Sequence, residues 1–362
     1  MKILLLSRSN LKYDGRLREL LKVSNEIGDT ICITAAEVNR TEGKKITIKD
    51  KGFFSYIRFI LLSIKLSKKV NILFVDNRLA CVPALAIWAI RKKILIIQDV
   101  RELYIKKEIK RIRGKIGCFF EEKLIKKADI ILCANKERAA IMKKIYHLSS
   151  EPYAFLNMHM LEKNACDDEY AQKYEQLFPN NSKVLISTAG CDISRMTDKL
   201  VLAMREYKET AILLLVGKSN EEDINIINKL MRDNRINNVF ILPQVAEGEL
   251  KYLISKSDIG VVSYSQVDAN NKYCASGKIY EFLYEGKPVV TTTNPPLKNM
   301  CVEFEIGYSD DAFVTAIKKT IDNIEELKYN VEKYFKPKEI ENNNAMLIQH
   351  IKELLRRLDL DA

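Results

Sequence analysis

Ser276, Gly277, Lys278 and Glu281 are the residues whose types and spacing most directly suggest chemistry in this 362-residue chain. They stand in the run Tyr273-Cys-Ala-Ser-Gly-Lys-Ile-Tyr-Glu-Phe-Leu-Tyr-Glu-Gly286-Lys-Pro288-Val-Val. It reads as a small, flexible loop opening a helix, with Gly286 ending that helix and Pro288 starting a buried strand. Backbone N–H groups at a helix start cradle a phosphate, and Lys278 adds a positive charge there. Glu281 lies about one turn along, where it can accept hydrogen bonds from the hydroxyls of a ribose. The same pattern also describes an amphipathic helix and a strand with no ligand, and residue types alone leave both readings open.

Other chemistries find little support. The eight cysteines (32, 81, 118, 133, 166, 191, 274, 301) form no Cys-x-x-Cys pair, and only three histidines occur, His147, His159 and His350. This argues against a zinc site and a disulfide framework and predicts buried thiols in a reducing cytosol. No motif pairs a Ser or Cys nucleophile with a nearby His. The Asp-x-Asp pattern occurs only as Asp359-Leu-Asp361, in the last few residues, so neither a divalent metal nor another cofactor is expected.

The elements that must position these residues follow from periodicity. In the first half short apolar runs alternate with helical patterns, as in a parallel sheet with crossover helices. Strands are predicted at 2–7, 30–34, 72–75, 94–98 and 130–134, and helices from near Asp14, over about 53–69 and over about 107–127. Gln98 and Asp99 then end a strand, where open α/β sheets bind ligands. A polar stretch from Glu162 to Ser182 breaks the pattern and reads as a linker with a short helix. Strands resume at 183–188, 211–216, 239–242, 259–263 and 288–292, with helices near 198–207, 222–233, 247–256 and 278–285. The tail, 338–358, is a long amphipathic helix with basic residues toward its end.

Charge divides the chain unevenly. Residues 1–150 hold 33 Lys and Arg against 15 Asp and Glu, whereas residues 151–362 hold 26 against 33, within a total of +11. A basic N-terminal half attracts phosphates, nucleic acid or an anionic membrane surface. No aromatic-basic motif accompanies the charge, so nucleic acid is not an expected partner. Apolar residues recur at helical spacing between Arg101 and Lys127 among ten Lys and Arg and four Glu. That segment is either a solvated helix with a core side or a basic surface for anionic lipid; the apolar 53–66 stretch reads first as a core helix. Met1-Lys2 runs into Ile-Leu-Leu-Leu without the form of a signal peptide. The longest apolar stretch, Ala80 to Ile90, is about half of the ~20 residues a membrane span needs. The expected location is therefore cytoplasmic, or peripheral on the inner face of the plasma membrane.

The run from Lys278 through Glu281 and Gly286 to Pro288-Val-Val is similar to the donor-site segment of retaining GT-B glycosyltransferases of family 4, the type found in bacterial surface polysaccharide synthesis. The resemblance implies an α/β fold of GT-B type, two Rossmann-like domains facing across a cleft. It places an acceptor-binding domain at 1–160, a nucleotide-sugar domain at 161–337, and the 338–362 helix packed back on the first domain. It gives Glu281 the nucleotide ribose and Ser276, Gly277 and Lys278 the diphosphate. Val184-Leu-Ile-Ser-Thr-Ala-Gly190 followed by Arg195, eight residues before Ala203, resembles the family's first strand, glycine and phosphate-contacting basic residue. Asn238-Val-Phe-Ile-Leu-Pro243-Gln244-Val245 resembles its third strand, after which main-chain groups of Gln244 and Val245 contact the base. The likeness covers most of residues 180–310.

The N-terminal half matches more loosely. Asp14-Gly15-Arg16-Leu-Arg18-Glu19 resembles the family's opening after the first strand. Gly15 there allows close approach of the donor phosphate, and Asp14 and Arg16 fall on the acceptor side. Asp99-Val-Arg101-Glu102 resembles an acceptor-site Asp-x-His-Glu segment. Three positions depart from the pattern: Tyr273 where relatives carry a second Glu, Cys191 where many carry Arg, and Arg101 where His is common. A fixed cation at Arg101 would suit an acidic acceptor, such as a lipid-linked diphosphate sugar. The implied reaction moves a sugar from a UDP- or GDP-sugar to a hydroxyl of a glycan or lipid-linked acceptor, with retention. Arg195 and Lys278 would stabilise the departing diphosphate. Two alternatives remain at this level: a GT-B-like binding subunit without activity, and a sugar-nucleotide 2-epimerase, which would need His and carboxylate residues that the scattered histidines do not readily supply.

Overall fold

A computed structural model describes residues 1–162 and 167–359. The chain divides into two compact units, Met1–Met158 with the C-terminal segment from Ile340, and His159–Glu339. Each is built on a sheet of mainly parallel strands with helices on both faces.

The first unit holds strands β1 (Lys2–Leu6), β2 (Asp29–Ala36), β3 (Arg40–Glu42), β4 (Lys45–Lys49), β5 (Ile72–Asp76), β6 (Leu95–Asp99), β7 (Ile130–Cys133) and β8 (Tyr153–Ala154). Their order is β3-β4-β2-β1-β5-β6-β7-β8, parallel throughout except for the β3–β4 pair. Strands β1, β5 and β6 are continuous apolar runs because both faces are covered. On one face, Leu17, Leu20 and Val23 of the helix Gly15–Ile27 pack with Leu347, Ile351 and Leu355 of the C-terminal helix Lys338–Arg357. Asn343 of that helix brackets Leu156, accepting from its N–H and donating to its carbonyl at 3.2 Å each. On the other face Phe59, Ala84, Ile87 and Leu124 come from three helices, Phe53–Leu66, Cys81–Ile90 and Ile112–Ile125.

The second unit holds β9 (Lys183–Ser187), β10 (Ala211–Val216), β11 (Val239–Leu242), β12 (Ile259–Val262), β13 (Val289–Thr291) and β14 (Gly307–Ser309), in the order β11-β10-β9-β12-β13-β14, all parallel. This is the doubly wound dinucleotide-fold order, with the reversal between β9 and β12. Leu185, Leu213, Leu215 and Val261 form the core with Leu200, Ile227, Phe313 and Ile317.

Several elements differ from the sequence reading. The helix expected from about 107 begins at Ile112, after Arg111 in an extended conformation. Lys106, Lys107, Lys110 and Arg111 would otherwise crowd the positive end of its dipole. Its Ile112, Ile116 and Phe119 face solvent instead of a core, as do Phe53, Phe54 and Leu61 of the helix expected to be buried. The Ala80–Ile90 run is a helix from Cys81, and the β3–β4 hairpin, which turns at Gly43 (φ +57°), pairs the exposed three-residue β3 with the alternating strand Lys45–Lys49, whose Ile48 is buried in the core. Residues 163–166, including Cys166, and Asp361 lie outside the described residues; the seven described cysteines are buried and form no disulfide with one another. Among the described residues no helix is long and apolar enough to cross a membrane, and no His, Cys, Asp and Glu side chains cluster as metal ligands.

Candidate functional site

In an open α/β sheet the ligand crevice lies beyond the strand C-termini at the point where strand order reverses. In the second unit that point falls between β9 and β12, whose ends carry Ser187 and, just beyond them, Thr188 and Ser263. The helix Gly277–Tyr284 opens beside them, with Ser276 as its N-cap. A Cβ on Gly260 of β12 would lie 2.3 Å from the Phe282 ring, so this glycine lets the helix seat directly on the strand. The hydroxyls of Ser187, Thr188, Ser263 and Ser276 are buried without a hydrogen-bond partner among the described residues. Ser276 makes no capping bond, so the first N–H groups of this helix stay open to an acceptor.

Two cations approach this set. Lys278 donates from Nζ to the Thr188 carbonyl, which ties the helix start to the end of β9. Desolvation of the ammonium lowers its pKa, with Arg195 acting the same way and Glu281 in opposition. The residue as a whole remains exposed. Arg195 ends the short turn Ile193–Arg195, which Asp192 caps. Its guanidinium lies 3.8 Å from the centroid of the Tyr264 ring, a cation–π contact that fixes the side chain. Its Nη1 is buried without a partner among the described residues. Stacked, half-buried and with Nη1 unengaged, Arg195 is built to meet an anion.

Glu281 points from the second turn of the helix to His159, Oε1 to Nε2 3.1 Å, with both side chains 12 % exposed. The sequence offered no signal for His159, since 122 positions separate the pair. Gly190 has φ +63°, and a Cβ there would lie 2.6 Å from Ser219 Oγ, the atom that accepts from the Cys191 N–H at 2.8 Å. Cys191 itself is buried in the core. It therefore supplies no positive charge in place of the missing Arg. Gln244 and Val245 follow β11 in a loop, Gln244 exposed and Val245 half-buried. Asn294, also without a sequence signal, is fully buried, accepts from Thr292 Oγ1 at 2.6 Å and donates to the Asn271 carbonyl at 2.9 Å, fixing the loop that carries Tyr273.

In the first unit the reversal lies between β1, which Ser7 follows, and β5, which ends at Asp76. Asp14, Arg16, Asp99 and Arg101 gather beside them. Arg16 grips Asp99 with two bonds, Nε to Oδ2 2.7 Å and Nη2 to Oδ1 2.6 Å, and donates to the Phe155 carbonyl at 2.7 Å. Arg101 contacts Asp14 at 2.5 Å, bonds Asp76, and lies 3.8 Å from Asp99. Burial works against the Arg101 charge, but Asp76, Asp14 and Asp99 outweigh it and raise its pKa. Asp76, absent from the sequence reading, is buried among these groups and bonded by Ser7 Oγ at 2.5 Å; burial first, then its like-charged neighbours, push its pKa up to about 6. The positive charge of Arg101 is thus compensated within the chain. Gly15 is the first residue of the helix that Asp14 caps, and Glu102 is exposed, 3.9 Å from Arg138.

No family model matches the sequence, and no curated protein matches it. Solved structures do resemble it in fold. Sucrose-phosphate synthase from Thermosynechococcus elongatus superposes with a TM-score of 0.73 at 15% identity, covering 99% of each chain. Anabaena HepE in complex with UDP and glucose gives 0.72 at 11% identity, over 98% of this chain and 100% of that one. An E. coli trehalose-6-phosphate synthase bound with UDP-2-fluoro glucose gives 0.66 at 12%, over 99% of each. The chain therefore has the GT-B fold of two parallel-sheet domains.

Proposed function

We propose that the chain is a glycosyltransferase that uses a uridine-diphosphate sugar as donor. The observation that carries the proposal is the convergence, at the switch point of the second sheet, of Arg195, Lys278, four buried hydroxyls and the open start of the helix Gly277–Tyr284. Such a set matches a diphosphate better than a neutral ligand, because two cations beside unpartnered buried donors are best satisfied by an anion with several acceptor oxygens. Glu281 is assigned the ribose hydroxyls and the Gln244–Val245 main chain the base. UDP rather than another nucleotide is favoured by the fold relatives, two of which hold UDP or a UDP-sugar.

The reaction we infer is transfer to a hydroxyl of a glycan or lipid-linked glycan in surface polysaccharide synthesis, with retention. The acceptor oxygen bonds to the anomeric carbon as the bond from that carbon to the β-phosphate oxygen breaks; the leaving phosphate takes the hydroxyl proton, giving UDP and the glycoside. Arg195, Lys278 and the Gly277 amide stabilise the charge that grows on the diphosphate, and no role is assigned to a metal. The acceptor side is assigned to Asp14, Asp76 and Asp99, held by Arg16 and Arg101. These carboxylates suit sugar hydroxyls better than an acidic acceptor, since Arg101 is already neutralised. Incubation with a panel of UDP-, GDP- and dTDP-sugars and short glycan acceptors tests this: UDP release that grows with acceptor supports it, and binding with no turnover on any acceptor supports a binding subunit instead. The His159–Glu281 pair favours a second reading, a sugar-nucleotide 2-epimerase, recognised by NMR as isomerisation of the donor sugar without acceptor.

A further inference from the structure

The helices Phe53–Leu66, Cys81–Ile90 and Ile112–Ile125 pack side by side on one face of the first sheet, with Cys81–Ile90 in the middle. Their inner sides bury Phe59, Ile87 and Leu124. What they turn outward is unusual for a helix layer. On the first helix Phe54, Arg58, Leu61 and Lys65 are exposed and spaced as one stripe, apolar and cationic in turn. On the third, Ile112, Ile116 and Phe119 form an apolar stripe at the same spacing that ends in Lys123, whose ammonium rests 4.4 Å from the Phe119 ring centroid. Phe54 is 84 % exposed, Ile112 74 % and Phe53 73 %. Isolated exposed apolar residues need no explanation, but large ones clustered on neighbouring helices do.

The charge around them has one sign. Segments 51–69, 81–93 and 105–127 carry seventeen Lys and Arg against three Glu. Of those three, Glu121 is buried and paired with Arg78, so it offers the surface no negative charge. We infer that this three-helix face docks on an anionic lipid bilayer, its Phe and Ile side chains entering the headgroup–acyl boundary and its Lys and Arg meeting lipid phosphates. An anionic bilayer fits both halves of the pattern at once: shallow insertion rewards Phe, Ile and Leu, and the surrounding cations gain from the surface potential. A nucleic acid would account for the cations and leave the Phe and Ile side chains in water. This inference does not depend on the proposed reaction, since binding to vesicles needs neither donor nor acceptor.

Flotation of the full chain with phosphatidylcholine vesicles, and with equimolar phosphatidylcholine–phosphatidylglycerol vesicles, tests it. The chain is expected to float with the anionic vesicles, to stay behind with the neutral ones, and to be released as salt is raised. Phe54→Ser combined with Phe119→Ser is expected to lower anionic-vesicle affinity by about tenfold or more, because each phenyl ring contributes insertion area. Val302→Ser, which alters an exposed apolar residue of the second unit, should leave it unchanged. Circular dichroism and thermal melting confirm that each variant is folded. Equal recovery on both vesicles, or unchanged affinity in the double Phe variant, would sink the inference. So would a dimer in size-exclusion light scattering that the double variant returns to monomer, since the face would then belong to a second copy of the chain.

Discussion

Lys278 and Arg195 serve the same anion by different means. Lys278 is a point charge at a helix start, held to the end of β9 by the Thr188 carbonyl. Arg195 is a planar fork stacked on Tyr264, with its position set by Asp192 and the ring. Removing either should act mainly on the transition state, where the diphosphate gains charge. Lys278→Ala and Arg195→Ala are each expected to lower kcat by about 10²–10³-fold while UDP still binds. Steady-state kinetics with parallel calorimetry checks this; a loss confined to binding would count against the assignment. His159 is a positioning residue for Glu281. His159→Ala removes one orienting hydrogen bond, worth about 0.5–1.5 kcal/mol, so donor KM should rise about 3–10-fold with kcat nearly constant. Of these residues the sequence displayed Lys278, Glu281 and Arg195, because each belongs to a local spacing. His159, Asp76 and Asn294 were invisible, because their roles come from partners 122, 25 and 23 positions away.

At the scale of elements, the site depends on how closely the helix Gly277–Tyr284 lies on β12. Gly260 sets that distance, because any side chain there meets the buried Phe282 ring. Gly260→Ala should cost about 1–3 kcal/mol of stability, the range of overpacking in a tight core. It should also raise donor KM, since the shifted helix carries both Lys278 and Glu281. Chemical denaturation and kinetics on the same preparation check both, and a stable variant with an unchanged KM would show that the seat is not critical. The core strands were legible because they are continuous apolar runs bounded by turn residues, as in Ala211–Val216. The β3–β4 hairpin was not, because β3 is only three exposed polar residues and the alternation of β4 spans only five. The late start of the helix at Ile112 escaped for another reason: its apolar spacing continues upstream into a basic run that the helix dipole rejects.

Across the molecule, both sheets place their polar side chains at the reversal of strand order, yet they fill it oppositely. The second sheet gathers cations and open hydroxyls, whereas the first, in the strongly basic half, buries carboxylates. The partition of net charge therefore says little about the first unit's interior, where Asp76 and Glu121 are almost wholly buried. Glu121 makes this measurable. Burial raises its pKa from 4.5 to about 7, despite Arg78 at 3.3 Å. A carboxyl whose folded pKa lies above its unfolded value holds its proton more tightly in the native state. Its stabilising contribution is complete below the unfolded pKa and is lost as pH rises through the folded one. The chain should thus lose stability on the order of 1–3 kcal/mol from this group as pH climbs from 4.5 to about 7. Glu121→Gln keeps the shape and an acceptor for Arg78 but cannot titrate. Whatever the substitution does to absolute stability, the difference between the two proteins should change with pH across that interval, the wild-type chain falling relative to the variant. Thermal unfolding of both in matched buffers gives the comparison, and parallel curves would mean that Glu121 titrates normally in the folded chain.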